Sequence, residues 1–396
     1  MNRGLRAERR LRFSVHFSFA LCLLGLSANL FASQDIAYDG KHVCEGIEYF
    51  HKQVPDVPWS IHVVRIERAR SDFQLLTTMP TNRAVGLTLT TEQLKAIPPS
   101  VGEPIAAING DFFSWPKGAY QGDPAGLQII DGEMVSAPPH SRESMIHGSP
   151  ANAVCFWTDA KGNIRIDKVA SNLEVTFPNG AKLPVGLNQN RTNTTAVLYT
   201  SAAGSSTRMT NGGVELVLEK NGGDWLPLVP DETYSARVRN ISSRNTPINA
   251  DTLVLSIGDK LLAKLPKLKK GMAVRISTVI SPELKHATAA IGGGPQLVHD
   301  GKLTKIRDDK RNPRTAVGYS KTHLYFFVVD GRRKGISDGM TFEELAKEIA
   351  WWGCDEAMNL DGGGSATIWV DGKIMNQPSD NKERAVANDL VVVRKR

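Results

Sequence analysis

Near the carboxyl end, Asn359-Leu360-Asp361 is followed directly by Gly362-Gly363-Gly364-Ser365. Alternate residues of a strand share a face, so Asn359 and Asp361 point one way and Leu360 the other. Two polar groups on one face make poor core and a good ligand surface. Glycines beside a carboxylate let a ligand approach the backbone closely and turn N–H groups toward an anion. Similar polar residues close other expected strands, most of them beside glycine: Asn109 and Asp111 around Gly110, the run Gly292-Gly293-Gly294, Arg314, and Asp330 before Gly331. A single Asp-Gly is ordinarily a turn. The set points to carboxylate chemistry on an anionic ligand.

Other chemistries fail on spacing. Gly335-Ile336-Ser337-Asp338-Gly339 fits a nucleophile elbow, but an elbow joins strand directly to helix and needs a later histidine. The preceding strand is expected to end near Val329, and the last histidine of the chain is His323. The 9 histidines include no HExxH pair, and His140 and His147 lack helical ligand spacing. The glycines after Asp361 lack the lysine of a phosphate loop, and a strand follows them rather than a helix. Serine-hydrolase, histidine-zinc and nucleotide-triphosphate readings fall away.

The elements that must position these residues are mostly short strands. Residues 61–76 alternate like a strand, and 105–108 form a buried strand running into Asn109. Thr90 and Gln93 stand at capping-box spacing before a short helix that Pro98 ends. Hairpin-type dipeptides follow at Asp131-Gly132, Lys161-Gly162, Asn179-Gly180, Asn211-Gly212 and Asn221-Gly222. Residues 324–329 (LYFFVV) read as a fully buried strand. Thr341 and Glu344 make a capping box for a helix that puts Phe342, Leu345, Ile349 and Trp352 on one face and stops at Gly353. Strands over 356–360, 365–370 and 390–393 close the chain. No internal repeat or low-complexity linker interrupts this pattern. The expectation is an α+β fold, a single large domain of mixed β-sheet with few helices over 61–394, behind a polar lead-in over 33–60 with Pro55 and Pro58.

Residues 1–32 read as a secretory signal: five arginines, an apolar run over 13–30, then Ala32 and Ser33 before Gln34. The competing reading is an uncleaved anchor, against which Ser14, His16, Ser18 and Ser27 dilute the apolar run. A periplasmic or secreted protein with no stable membrane span after cleavage is expected. Removing five Arg and one Glu lowers the formal charge from +7 to +3, too little to suggest a nucleic-acid partner. The basic clusters 267–270, 332–334 and 394–396 read as solvated faces, and only Arg332-Arg333-Lys334 adjoins a motif. Cys22 leaves with the signal. Cys44, Cys155 and Cys354 then allow at most one disulfide in a monomer and no all-cysteine zinc site, and buried thiols are the simpler expectation.

The blocks INGDFF (108–113), GGGPQL (292–297), PRTAVG (313–318) and LDGGGS (360–365), with Glu383 and Arg384, occur in this order. In content and order they resemble the phosphodiester glycosidase family over about residues 60–394. The resemblance implies a hydrolase of sugar-1-phosphodiesters, such as polysaccharide or cell-envelope glycan linkages. A phosphomonoester is already stable when expelled, so acid assistance matters less than in ordinary glycoside hydrolysis. A carboxylate beside the oxocarbenium-like carbon and a cradle for the phosphate matter more. The resemblance implies Asp361 as nucleophile or base, Asp330 as the second carboxylate, and Arg314 gripping phosphate with the amides of Gly362, Gly363 and Gly364. Asn109 and Asn359 would bind sugar hydroxyls, with Asp111, Ser365 and Arg384 also at the substrate. No cofactor is implied, and a divalent cation stays open. Two readings compete: a non-catalytic polysaccharide-binding or exopolysaccharide-biosynthesis accessory protein, and a phosphodiesterase cutting at phosphorus with a metal on Asp330 and Asp361.

Overall fold

A computed structural model of the chain describes residues 38–137, 145–146, 149–150, 154–306 and 310–395. All lie in one compact unit, Ile36–Arg396. The expected export signal and the loop histidines His140 and His147 lie outside the described residues.

Two eight-stranded and two five-stranded sheets carry most of the strands. Among the described residues the pairing is antiparallel except where Gly186–Leu187 runs parallel to Ala196–Tyr199. Three α-helices accompany the sheets: Thr90–Lys95, Asp259–Leu262 and Phe342–Trp351.

The strand His323–Val329 lies inside one eight-stranded sheet, between Trp59–Glu67 and Arg314–Tyr319. Tyr325, Phe327 and Val329 join Ile61 and Val63 beneath Leu345 and Ile349 of the long helix. Phe326 and Val328 join Val64 and Ile66 on the other face, against Ile108, Ile291 and Leu390 of the five-stranded sheets. With both faces covered, the strand has no need of a polar alternation. The second eight-stranded sheet, from Ala170–Thr176 to Ala273–Ser281, builds a separate core around Leu216, Leu255 and Ile276.

The capping box of the long helix forms as its spacing predicts. Glu344 N donates to Thr341 Oγ1 at 3.2 Å, and Thr341 N donates to Glu344 Oε2 at 2.9 Å. Gly353, at φ 77°, ends it. The box expected at Thr90 does not form. Leu89 occupies the N-cap, while Thr90 Oγ1 donates to Asp389 at 2.6 Å and Gln93 Nε2 donates to the carbonyls of Thr88 and Val386. A buried carboxylate that must be bonded takes the hydroxyl that would have capped the helix.

Residues 61–76 split between Trp59–Glu67 and Phe73–Thr77, which belong to different sheets. The stretch expected as a polar lead-in contains the strands Asp39–Cys44 and Ile47–Val54, and Ile47 and Tyr49 are buried there. Asp131-Gly132, Lys161-Gly162 and Asn179-Gly180 close hairpins. Asn211-Gly212 closes none, because the strands on either side of it, Ala196–Tyr199 and Val214–Lys220, both pair with Leu253–Ile257. Asn221-Gly222 begins a longer connection, to Thr233–Ser242. Gly363–Ser365 is a 3-10 turn, so the strand expected from Ser365 starts at Ile368. Cys44, Cys155 and Cys354 are free thiols.

Candidate active site

Two strand ends build the site. Glu103–Asn109 pairs with Asp389–Arg394, setting Asn109 opposite Asp389. Glu356–Asn359 pairs with Arg314–Tyr319, setting Asn359 opposite Ala316. The loop from Asp361 to Ser365 bridges the two ends.

Asn109 is the strap between them. Its Nδ2 donates to Asp361 O at 2.6 Å, and its Oδ1 accepts from Thr315 Oγ1 at 2.7 Å and Thr367 N at 3.0 Å. Asp361 N donates to Gly110 O at 2.9 Å. Asn359 does similar work, donating from Nδ2 to Gly294 O at 2.9 Å and Leu360 O at 2.6 Å. Both asparagines are buried, so these amides position the loop rather than meet a sugar.

The glycines of the loop answer to two arginines. Gly363 has φ 60°, and a side-chain carbon there would fall 3.2 Å from both terminal nitrogens of Arg332. A side-chain carbon on Gly364 would overlap the Arg384 guanidinium. Arg384 is held by Asp380, with Nε 2.9 Å from Oδ2, and its Cζ lies 4.8 Å from the ring centre of Trp115. Arg332 has φ 58°, uncommon for a non-glycine residue, and donates to Asn312 Oδ1 at 2.9 Å. Gly363 N is spent on Pro313 O and so is not part of the anion cradle expected of the three glycine amides. Ser365 Oγ, Thr367 Oγ1 and Asn359 Oδ1 are enclosed without a partner among the described residues.

Asp111 completes the cluster. It accepts from Gly126 N at 2.6 Å through Oδ2, while Asn388 Oδ1 accepts from its backbone N–H at 2.8 Å. Gly292 has to be glycine here, since a side-chain carbon would stand 2.7 Å from Asp111 Oδ2. The other oxygen, Oδ1, is enclosed and has no partner among the described residues. Burial, reinforced by the charge of Asp361 and opposed by bonds from Gly126 and Phe112, pushes its pKa up to about 7. Asp123, on the same segment, is pushed by burial to about 8.

Two expected residues take other places. Arg314 stands at the loop by its backbone, but its guanidinium donates to Met340 O at 2.8 Å and Lys310 O at 2.9 Å and lies 3.9 Å over Phe342. Its neighbour Thr315 is the residue that points to Asn109. The cations against the glycines are therefore Arg332 and Arg384. Asp330 is 1% exposed and fully engaged. Its Oδ2 accepts from Ser60 Oγ at 2.9 Å and His62 Nε2 at 3.0 Å, and its Oδ1 from Gln377 N at 2.9 Å and Asn376 Nδ2 at 3.3 Å. Burial raises its pKa, but the bonds and charge of His62, with Ser60 and Gln377, outweigh burial and leave it below the usual carboxylate range. Because Asn376 also donates to Ala366 O, Asp330 braces the far end of the loop. Ser337 is buried and its Oγ donates to Asp330 O at 2.6 Å, a bracing role as well.

Arg332, Trp115, Asp123 and Asn388 belong to the site and escaped the sequence reading. Arg332 had one signal, its place directly after Asp330-Gly331, and Asn388 another, a polar pair with Asp389 heading an apolar strand. His299, Asp300 and Glu356 could together hold a cation, but they gather at the opposite end of Glu356–Asn359 from Asn359. A cavity of about 750 Å³ beside Phe73–Thr77 and residues 96–101 shares no lining residue with the Asp361 loop.

The fold and this loop define a largely antiparallel β protein with an acidic, glycine-lined site at its strand ends. Residues 233–393 match the family model described as phosphodiester glycosidase (NAGPA), so this part of the chain carries a domain of that family. A stretch of 115 residues is 40% identical to the SPbeta prophage-derived uncharacterized protein YomE of Bacillus subtilis. That match takes in 27% of this chain and only 18% of that protein's length. The fold resembles a hypothetical protein from Synechocystis, with TM-score 0.71 and 18% identity over 90% of this chain and 64% of that one. It also resembles a putative exported protein from Burkholderia pseudomallei, with TM-score 0.64 and 20% identity over 85% and 74% of the two chains. The catalytic domain of zebrafish N-acetylglucosamine-1-phosphodiester alpha-N-acetylglucosaminidase, at TM-score 0.42 and 15% identity over 92% and 85%, superposes too loosely to pair residues.

Proposed function

We propose that this chain is an exported hydrolase that cleaves the bond between an anomeric carbon and phosphate in sugar-1-phosphodiesters of exopolysaccharide or envelope glycan. The observation that carries this reading is the loop Asp361–Ser365, with its carboxylate at one end and the guanidiniums of Arg332 and Arg384 on its glycines. A carboxylate stabilises positive charge developing at the anomeric carbon, and paired guanidiniums grip the phosphate. In the net reaction water supplies its oxygen to the anomeric carbon and its two protons to the products. The carbon–oxygen bond to phosphate breaks, and the phosphomonoester leaves with the electron pair. Asp361 serves as nucleophile or base. Asp111, buried beside the loop and neutral below about pH 7, adds no second negative charge next to Asp361.

Asp330, spent on Ser60, His62, Asn376 and Gln377, has no lone pair to share with a metal clamped against Asp361. The test is a chromogenic sugar-1-phosphodiester, assayed with and without a chelator. Turnover that survives chelation supports the proposal. Turnover abolished by chelation would favour a metal-dependent phosphodiesterase, and binding without turnover an accessory role in polysaccharide synthesis.

A further inference from the structure

We infer that Trp115 is a specificity residue on the leaving-group side of this site, stacking a ring carried by the departing phosphate. This rests on the reading of Asp361, Arg332 and Arg384 given above. The segment bearing Trp115 is tied to itself at several points. Phe113 bridges to Pro124, Ser114 N donates to Asp123 O at 2.9 Å, and Gly122 N donates to Ser114 O at 2.9 Å. Gln121 Nε2 further donates to Trp115 O at 3.3 Å. A loop so closed holds its tip in place. Phe113 is 2% exposed, as its size demands, whereas Trp115 is 43% exposed although its ring touches Phe113 and Arg384. Leaving that much indole in water forfeits burial, so a ligand that covers it gains what the fold does not.

The contacts give the direction. Asp361 precedes the glycines, Arg332 lies on Gly363, Arg384 lies on Gly364, and Trp115 lies against Arg384. A diester whose anomeric carbon faces Asp361 and whose phosphate meets the two guanidiniums sends its second ester oxygen toward the indole. An indole takes the C–H face of a pyranose or the face of an aromatic ring, and gains little from a methyl group. Trp115 then favours diesters whose leaving alcohol is cyclic.

The experiment compares the full chain with W115A and W115F on two diesters that share one sugar-1-phosphate. One carries a second sugar as leaving alcohol, the other methanol. W115A is expected to raise KM about tenfold for the sugar-bearing diester, with W115F restoring most of it. For the methyl diester, whose phosphate meets the same Arg384, the rise in KM should be several-fold smaller than for the sugar-bearing one. Equal damage to both substrates would show that Trp115 only braces Arg384, and would overturn the inference. If wild type turns over neither diester, the hydrolase reading fails separately. The platform is then decided by tryptophan fluorescence with a hexose 6-phosphate: quenching present in wild type and lost in W115A and W115F supports it, and quenching that ignores residue 115 overturns it.

Discussion

At the scale of single residues, the account stands on Asp361 and Asp111. Both backbone bonds of Asp361, to Gly110 O and from Asn109 Nδ2, survive replacement of its carboxylate by an amide. D361N keeps both and should therefore fold, while losing on the order of 10²-fold or more in kcat. A merely turn-forming aspartate would make that variant nearly silent, since asparagine serves turns equally well. Asp111 gives a pH signature. Unfolded, it titrates in the ordinary carboxylate range, and folded it is held up to about 7. Between those values the unfolded chain has released the proton and the folded chain keeps it, so this group's effect is a loss of stability as pH rises. D111N removes that loss. Its melting temperature relative to wild type should climb from about pH 4 to about pH 7, and a gap constant over that range would contradict the burial argument. The two aspartates drew notice in the sequence because each sits beside glycine at the end of an expected strand. Arg314 was expected to grip phosphate, and its guanidinium instead bonds the carbonyls of Met340 and Lys310, a choice of partner that the motif PRTAVG does not reveal.

At the scale of elements, the long helix and the short one show what local sequence can decide. Thr341 and Glu344 satisfy each other with no competitor, so the box at Phe342–Trp351 is readable from spacing alone. T341A should cost about 1 kcal/mol in urea unfolding, with T341S recovering most of it; an unchanged midpoint would mean the box adds nothing. Thr90 has the same spacing to Gln93 but lies under the buried carboxylate of Asp389, a partner some 300 residues away in the chain. Burial pushes Asp389 up to about 7, against the bonds from Thr90 and Thr78. No local rule anticipates that contact. Several strands were legible in type, the buried run 324–329 most of all, but not the pair Asp39–Cys44 and Ile47–Val54 in the supposed lead-in. The distribution of strands among sheets was not legible, because the break between Glu67 and Phe73 is set by which sheet each half pairs with.

At the scale of the whole molecule, the sequence matched to the phosphodiester glycosidase family, 233–393, begins inside the second eight-stranded sheet and runs through the Asp361 loop. Asn109, Asp111, Trp115 and Asp123 come from outside that segment, and Asn109 reaches it where Glu103–Asn109 pairs with Asp389–Arg394. Export is the outermost claim. The arginine-rich start and apolar run predict a mature chain beginning near Gln34, and intact-mass analysis of secreted protein that still carries residues 1–30 would contradict it. Which bond breaks is the central claim. Hydrolysis of a sugar-1-phosphodiester in ¹⁸O-labelled water reads it directly, because the label marks the atom that water attacked. Attack at the anomeric carbon, assisted by Asp361 and with phosphate held by Arg332 and Arg384, predicts label in the released sugar. Label in the phosphate would contradict the account, even if every variant at Asp361 were inactive.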